Sequence, residues 1–506
     1  MDNIIQGKTR TKREFCSYYT ESDPILTYMV SRLKVEDGDY ILEPCAGDGV
    51  FIKKIITSFS KKKYNLEALD LNPKAIDKLN KNFERKNITI READTLLDLK
   101  LDIHANKNGH YTKIIGNPPY GAWQTLEKRA ILKKIYGGYA KETYTLFIQR
   151  CIDLLKENGK LVFIVPDTFL ALHVHKNIRE KILKNTKIEE VVLIPSKFFP
   201  GVNFGYSNLC IISLKKTKNL KNHKVKILKI NTKVETLYNI ANLDYSLADD
   251  FEEVAQEKIL NSLDYSFFIG GNTKIRNLIN EYKTNLGDLA NCVTGFCSGE
   301  NTKFYKPLNK SVKNTKNYEA VNQTEIEYNY LQFNNILKGL ENNKKYIPII
   351  KSGNGVFKRI SDWFVLWDKD TVNFYQKNKK SRFQNSKFYF KEGLGVPMVG
   401  SSKLKAFLLE KRIFDQSIVG IFPKDEKNSY YLLAFLNSDV CNRILKVINH
   451  TANNSANYLK KLPVIIDKKY FEEINNLVKN IFQKEGDIES TLKRIDEIFN
   501  IIYDIN

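Results

Sequence analysis

Residues 112–121 read TKIIGNPPYG, an apolar run that ends on Gly116 and passes straight into Asn117-Pro118-Pro119-Tyr120. A short apolar run bounded by turn residues reads as a buried strand, and in an open α/β sheet ligands gather beyond the carboxyl ends of the strands. The four residues placed there suit one kind of chemistry, methyl transfer onto an exocyclic amine. Such a nitrogen is a poor nucleophile because its lone pair is delocalised into a ring. If the Asn117 side-chain oxygen and the Pro118 carbonyl each accept one amino hydrogen, the nitrogen is drawn toward tetrahedral shape and its lone pair is aimed at an electrophile. Pro119 stiffens the same edge, since proline locks φ and brings no N–H of its own. The Tyr120 ring offers a face on which a flat base can stack, a contact of about 1–3 kcal/mol. Asn and Pro also make ordinary turns for backbone reasons alone, so the surrounding sequence has to decide between the two readings.

Outward from this stretch, apolar runs at 40–43, 65–69, 88–91, 113–116, 160–165, 190–193 and 208–214 alternate with Lys-rich amphipathic stretches, the pattern of an open α/β sheet. The first run leads into Glu43-Pro44-Cys45-Ala46-Gly47-Asp48-Gly49, whose small residues let backbone approach a ligand closely. The second ends at Asp70-Leu71-Asn72-Pro73, where a carboxylate can bond both hydroxyls of a ribose. The third leads to Ala93-Asp94, whose carboxylate can accept a hydrogen from the amino group of a nucleoside cofactor. Taken singly, each acid reads as a helix cap or a solvated loop residue. Three of them at successive strand ends, with Asn117-Pro118-Pro119-Tyr120 at the fourth, point to a cofactor site beside a reaction site. Pro44-Cys45 also admits a nucleophilic cysteine, but it stands after the first strand rather than the fourth, and amine methylation needs no covalent intermediate.

The chain has 506 residues and a formal charge of +22, which makes a polyanion the expected large partner, although Lys-, Asn- and Ile-rich composition also follows from an AT-rich genome. Seven scattered cysteines without a C-x-x-C pair fit a reducing compartment. No apolar run approaches the roughly 20 residues of a membrane span, and the polar, basic start is no secretory signal, so a cytoplasmic location without membrane association is expected. His173-x-His175 lacks partners at metal-ligand spacing, and no metal is expected.

The ordered set of motifs resembles the S-adenosyl-L-methionine-dependent amino-methyltransferases, and its order (cofactor region, catalytic region, recognition region) resembles the gamma-class adenine-N6 DNA methyltransferases of the TaqI-like group. The resemblance implies a Rossmann-like, seven-stranded methyltransferase sheet flanked by helices, followed by a C-terminal α+β target-recognition domain. It implies that Asn117, Pro118, Pro119 and Tyr120 act on an adenine flipped out of duplex DNA, with Phe199, in Lys197-Phe198-Phe199-Pro200-Gly201, stacking on the other face of the base; Phe198 is the competing choice. Of the cofactor S-adenosyl-L-methionine, Thr20, Glu43, Pro44, Ala46 and Gly47 would line the methionine part, Asp70 and Leu71 the ribose and adenine, Asp94 the adenine edge, and Phe147 would pack on the adenine, with Asn117 adjoining. Glu21 departs from the family, which usually has Pro after the Thr. Phe147 reads equally well as a core residue of an amphipathic helix.

The α/β pattern stops after Leu214, and the Lys-rich stretch from 215 to about 243 reads as exposed edge strands and a connection. The expected division is a catalytic domain over 1–243, a target-recognition domain over 244–466 and a helical segment over 467–506. The stretches 346–353, 363–367, 432–438 and 460–464 resemble, in order, the specificity domain of the same family. Basic loops such as 377–382 and the pair Lys358-Arg359 are candidate phosphate contacts, each lysine reading equally as part of a solvated charged face. A monomer acting on double-stranded DNA is expected; a separate cognate restriction endonuclease is an open alternative whose existence the sequence does not decide. The same amine chemistry would serve cytosine N4, an RNA base or a protein glutamine; a bifunctional restriction-modification protein and a DNA-binding protein with a dead catalytic domain are the remaining readings.

Overall fold

The computed structural model describes residues 22–121, 124–137, 142–198, 208–267, 273–309, 311–312, 315–351, 355–359, 361–400, 403–449, 453–483 and 487–505, which fall into two compact units, 1–269 and 270–506. The first is built on a mixed sheet of β1 (Tyr40–Glu43), β2 (Asn65–Asp70), β3 (Ile88–Glu92), β4 (Tyr111–Gly116), β5 (Leu155–Pro166), β6 (Thr186–Ile194), β7 (Leu209–Lys216), β8 (Lys224–Lys229) and β9 (Asp250–Ala255), in the order β3-β2-β1-β4-β5-β7-β6-β8-β9. Only β7 and β9 run against the rest. The central strands are apolar without alternation because both of their faces are buried: Leu161 to Val165 and Leu209 to Ile212 are inaccessible to solvent. The strand order reverses between β1 and β4, which makes the carboxyl ends of these strands the crevice of the fold.

The sheet has nine strands where seven were expected. The additional pair, β8 and β9, comes from the Lys-rich edge region and the acidic stretch after it, and carries the first unit to residue 269 rather than 243. In β8, Val225, Ile227 and Leu228 are buried while the lysines flank them. Lys229 bonds Asp250 of β9 (3.0 Å). The helix Asp23–Leu33 is tied to this half by a buried network in which Glu190 accepts from Arg32 Nε, Tyr28 and Tyr245, each at 2.6 Å.

The second unit holds two four-stranded sheets. One orders β10 (Ala290–Thr294), β17 (Ile418–Pro423), β14 (Gly393–Pro397) and β15 (Phe407–Leu409); the other orders β11 (Tyr305–Pro307), β13 (Trp363–Leu366), β12 (Tyr346–Ile350) and β16 (Ile413–Phe414). Its core is largely aromatic, with Phe296, Trp367, Tyr375 and Phe414 buried together. The stretches at 346–353 and 363–367 thus contribute neighbouring antiparallel strands. Asn437, closing the helix Ser429–Asn437, grips the Ala406 backbone through both its amide nitrogen and its oxygen. The final helices, Phe471–Gln483 and Ile488–Tyr503, belong to this unit rather than standing apart from 467 onward: Tyr503 donates to the Pro463 carbonyl (3.0 Å), and its ring stacks on Phe435 at 5.8 Å.

Candidate active site

The turn after β1 is shaped by two left-handed glycines, Gly47 (φ 53°) and Gly49 (φ 77°). A Cβ on Gly49 would stand 2.3 Å from Phe83 Cε2 and 2.7 Å from Leu79 Cδ2, so the helix Pro73–Phe83 packs directly on the turn. That helix starts where its sequence says it should: Pro73 stands at the first position and the Asn72 side chain caps the Lys74 amide. Asp70, ending β2, ties the two loops together, accepting from the Gly47 amide on Oδ2 and the Asn72 amide on Oδ1, both at 2.8 Å. Burial nevertheless raises its pKa above the ordinary carboxylate value against these bonds. Leu71 beside it is exposed.

Glu43 is fully buried, and neither carboxylate oxygen has a hydrogen-bond partner of good geometry. Burial first, then the Asp70 charge, push its pKa well above the usual range, with the Ile52 amide opposing only in part. A buried carboxyl without a donor is costly to a fold, and it fits a cationic or hydrogen-bond-donating ligand group such as the ammonium of a methionine moiety. Ala46 is buried in the same turn, its amide bonded to the Leu69 carbonyl (2.7 Å). Burial first, then Glu43 and Asp70, push the Cys45 thiol well above its ordinary pKa, which disfavours the thiolate a nucleophilic role would need. Pro44 gives its carbonyl to the Thr95 hydroxyl (2.5 Å).

Asp94, beyond β3, caps the Leu96 amide and is paired with Lys128 Nζ at 2.5 Å from the helix Leu126–Tyr136. The carboxylate expected to meet an adenine amino group therefore carries a cation in this state. At the end of β4, Gly116 packs against Pro44 and Cys45, which sets the first and fourth strand ends side by side. The residues after it are held from behind by the helix Thr143–Leu154. The Thr143 hydroxyl, itself buried, donates to the Pro119 carbonyl (2.5 Å), and among the described residues nothing donates to the Pro118 carbonyl. Tyr144 meets Tyr120 edge to face, with ring centroids 6.4 Å apart. The Tyr144 hydroxyl is fixed by Thr168 (2.8 Å) and His175 (3.4 Å), and His175 by Glu142 (2.8 Å). Tyr120 is 7% exposed, so its orientation is set while little of its face is accessible.

The structure thus brings Glu43, Pro44, Ala46, Gly47, Asp70, Asp94 and Asn117 to adjacent strand ends. Phe147 is a buried core residue on the helix behind them. Thr20 and Phe199 lie outside the described residues; Phe198 is half-buried under Lys197. Glu142, Thr143 and Tyr144 were not singled out from sequence, and His175 was weighed only as half of a histidine pair without metal-ligand partners. Their one signal was adjacency, since Thr143 and Tyr144 open the helix that carries Phe147. His173 pairs with Asp264 and His175 with Glu142, and among the described residues no group of three His, Cys, Asp or Glu could hold a metal. No helix of the described residues is long and apolar enough to cross a membrane.

Residues 26–199 match the Eco57I restriction-modification methylase family. The chain is 28% identical over 220 residues to the type II methyltransferase M.HincII of Haemophilus influenzae, covering 41% of this chain and 38% of that protein. It is 22% identical over 367 residues to the adenine-specific methyltransferase BrxX of Escherichia coli O9:H4 (strain HS), covering 70% of this chain and 28% of the relative. The chain therefore spans well under half the length of these curated relatives. Among solved structures, the DrdV–DNA complex shares its fold with a TM-score of 0.60 over 94% of this chain and 57% of that one, at 13% identity.

Proposed function

We propose that the chain is an S-adenosyl-L-methionine-dependent methyltransferase of the restriction-modification kind, acting on adenine N6 in duplex DNA. The observation that carries this reading is the placement of Asn117 and the Pro118 carbonyl at the β4 edge, directly beside the glycine turn and the orphaned carboxyl of Glu43. The match of residues 26–199 supports the same class, and a relative named as adenine-specific supports the base. When bound, the cofactor supplies an electrophilic methyl group. The chain's own residues do the rest: Asn117 Oδ1 and the Pro118 carbonyl accept the two amine hydrogens and aim the lone pair, a positioning and electrostatic effect in a site shielded from water. Glu43, Asp70 and the turn at Gly47 orient the cofactor. Tyr120, with Phe199 opposite, would stack on the everted base and offset the few kcal/mol of flipping. The second unit would read the duplex.

Labelled cofactor incubated with duplex DNA, RNA and protein, followed by nucleoside and amino-acid analysis, tests this. N6-methyladenine in duplex DNA is expected; label in N4-methylcytosine, in RNA or in glutamine overturns the substrate. Asn117→Ala should abolish transfer while cofactor binding, followed by calorimetry, stays within a few-fold of the parent. Near-normal turnover in that variant would reject the role given to Asn117.

A further inference from the structure

The second unit contains half-buried cations that have no carboxylate partner among the described residues. Lys377, Lys379, Lys380 and Arg382 are exposed, the ordinary state of a solvated face. Lys358 is engaged within the unit: its Nζ reaches the Ile481 and Phe482 carbonyls (both 3.3 Å), capping the helix Phe471–Gln483. It is thus a structural cation rather than a free phosphate contact. Its neighbour Arg359 differs. The guanidinium lies over the Phe407 ring at 4.8 Å, its Nε is buried with no hydrogen-bond partner, and no carboxylate stands within 4.0 Å among the described residues. Burial alone draws its pKa down to about 10.

The mount that carries Arg359 is stiff. Phe357 holds a left-handed φ of 63°, rare for a bulky residue. It is locked there by backbone bonds to both sides of Phe407, its amide to the Ala406 carbonyl and its carbonyl from the Leu408 amide, each at 2.9 Å. With Lys358 pinned to a helix end, Arg359 leaves a fixed backbone and stacks on a fixed ring. At the other end of the same β12–β13 connection, Lys351 Nζ sits 4.1 Å from Trp363, 4.6 Å from Tyr318 and 4.7 Å from Tyr305. Lys351 Nζ donates to the Tyr318 hydroxyl (3.2 Å), and Asp415, the acid whose charge acts on it, is already bonded to the Tyr305 hydroxyl and the Ser417 amide. Within the fold this half-buried guanidinium gains its stacking on the Phe407 ring and leaves Nε without a partner, whereas a rigid, stacked arginine fork is well suited to an acceptor edge from outside.

We infer that Arg359 is a DNA-contacting residue of the second unit, donating to acceptor atoms of the duplex, with Lys351 as its companion at the far end of the connection. The inference rests on the duplex-DNA reading above. Base edges and phosphates share the acceptor chemistry, and the arms of the test separate them.

The full chain and its Arg359→Met variant would be titrated, by fluorescence anisotropy over a salt series, with a duplex carrying the sequence methylated in expressing cells and with a scrambled duplex. Their melting temperatures would be measured alongside. The variant is expected to melt close to the parent, since methionine keeps an apolar stem against the Phe407 ring and removes an Nε that has no partner, and to bind the specific duplex about tenfold or more weakly. A loss confined to the specific duplex, with methylation spreading to sites altered at one base pair, assigns Arg359 to a base edge. An equal loss on both duplexes, with the salt slope reduced by about one, assigns it to a phosphate. Unchanged affinity and sequence choice overturn the inference, as does a loss of binding that only follows a lowered melting temperature. If the parent chain binds no duplex at all, it is the reading under Proposed function that fails first.

Discussion

Thr143 shows how a residue distant in sequence sets the geometry of the reacting edge. Its hydroxyl donates to the Pro119 carbonyl and so fixes the peptide that directly follows the one carrying the Pro118 acceptor. Thr143→Val keeps the shape and removes the donor. One net hydrogen bond, about 0.5–1.5 kcal/mol, corresponds to a roughly 3- to 10-fold fall in kcat; steady-state kinetics should show that fall with cofactor KM unchanged, and Thr143→Ser should restore it. Glu43 offers a test through pH. Its pKa in the folded chain lies above the ordinary value of 4.5 because it is buried beside Asp70. Below that ordinary value the carboxyl is protonated in both states and its contribution is fully present. As pH rises through the raised folded value the unfolded chain ionises freely, and the contribution is lost. Glu43→Gln, neutral throughout, should therefore match the parent in urea unfolding near pH 4.5 and surpass it near pH 8. A parent that stays equally stable at both pH values would show that Glu43 has a donor after all. The placement of Asn117, Glu43 and Asp70 at strand ends was legible in the sequence because apolar runs lead directly into them. Thr143 was not, because its partner lies 24 residues away and a threonine opening a helix has several ordinary explanations.

At the level of elements, the five central parallel strands and the antiparallel β7 could be read from apolar runs, since burial on both faces leaves an unbroken signature. β8 was legible only as an exposed edge strand and β9 escaped the reading, for a physical reason. Their pairing sets KVKILK against DFEEVA, with Lys229 bonded to Asp250 and Lys224 4.0 Å from Glu253, so cross-strand charge complements a thin apolar face. The β12–β13 pair of the second unit was legible as two apolar frames, whereas the strained turn that joins them to Arg359 was not, since nothing about a Phe announces a left-handed φ. The glycine turn after β1 is the element on which the proposed cofactor geometry depends. Gly49→Val introduces a β-branched side chain at positive φ and drives it into Phe83 and Leu79. Backbone strain of about 1 kcal/mol or more and overpacking of about 1–3 kcal/mol should together lower stability by roughly 2–4 kcal/mol. Urea unfolding should register that loss, and calorimetry should show cofactor affinity falling with it. A variant of parental stability would mean that the helix Pro73–Phe83 yields easily and is no brace for the turn.

Across the whole molecule, the two units each bury their own core, and the charge of +22 is spread over a chain whose lysines are in part ion-paired, in part structural and in part exposed. Net charge alone cannot distinguish a duplex-binding surface from the lysine content of an AT-rich genome, because both raise the pI. The salt dependence of binding can. Background lysines far from the duplex release no counterions on binding, whereas each neutralised phosphate contributes about −0.9 to the slope of log K against log salt. If the chain engages duplex DNA through a dedicated surface of 6–10 phosphates, affinity should fall by roughly 10³- to 10⁵-fold between about 50 and 200 mM salt. Anisotropy titrations across that range measure the slope directly. A slope near zero would place the charge outside any interface, and a steep slope that is identical for the methylated sequence and a scrambled one would mean that phosphates alone are being contacted. A specific duplex that keeps an advantage at every salt concentration is the outcome expected if a rigidly stacked cation such as Arg359 adds base discrimination to a generic polyanion attraction.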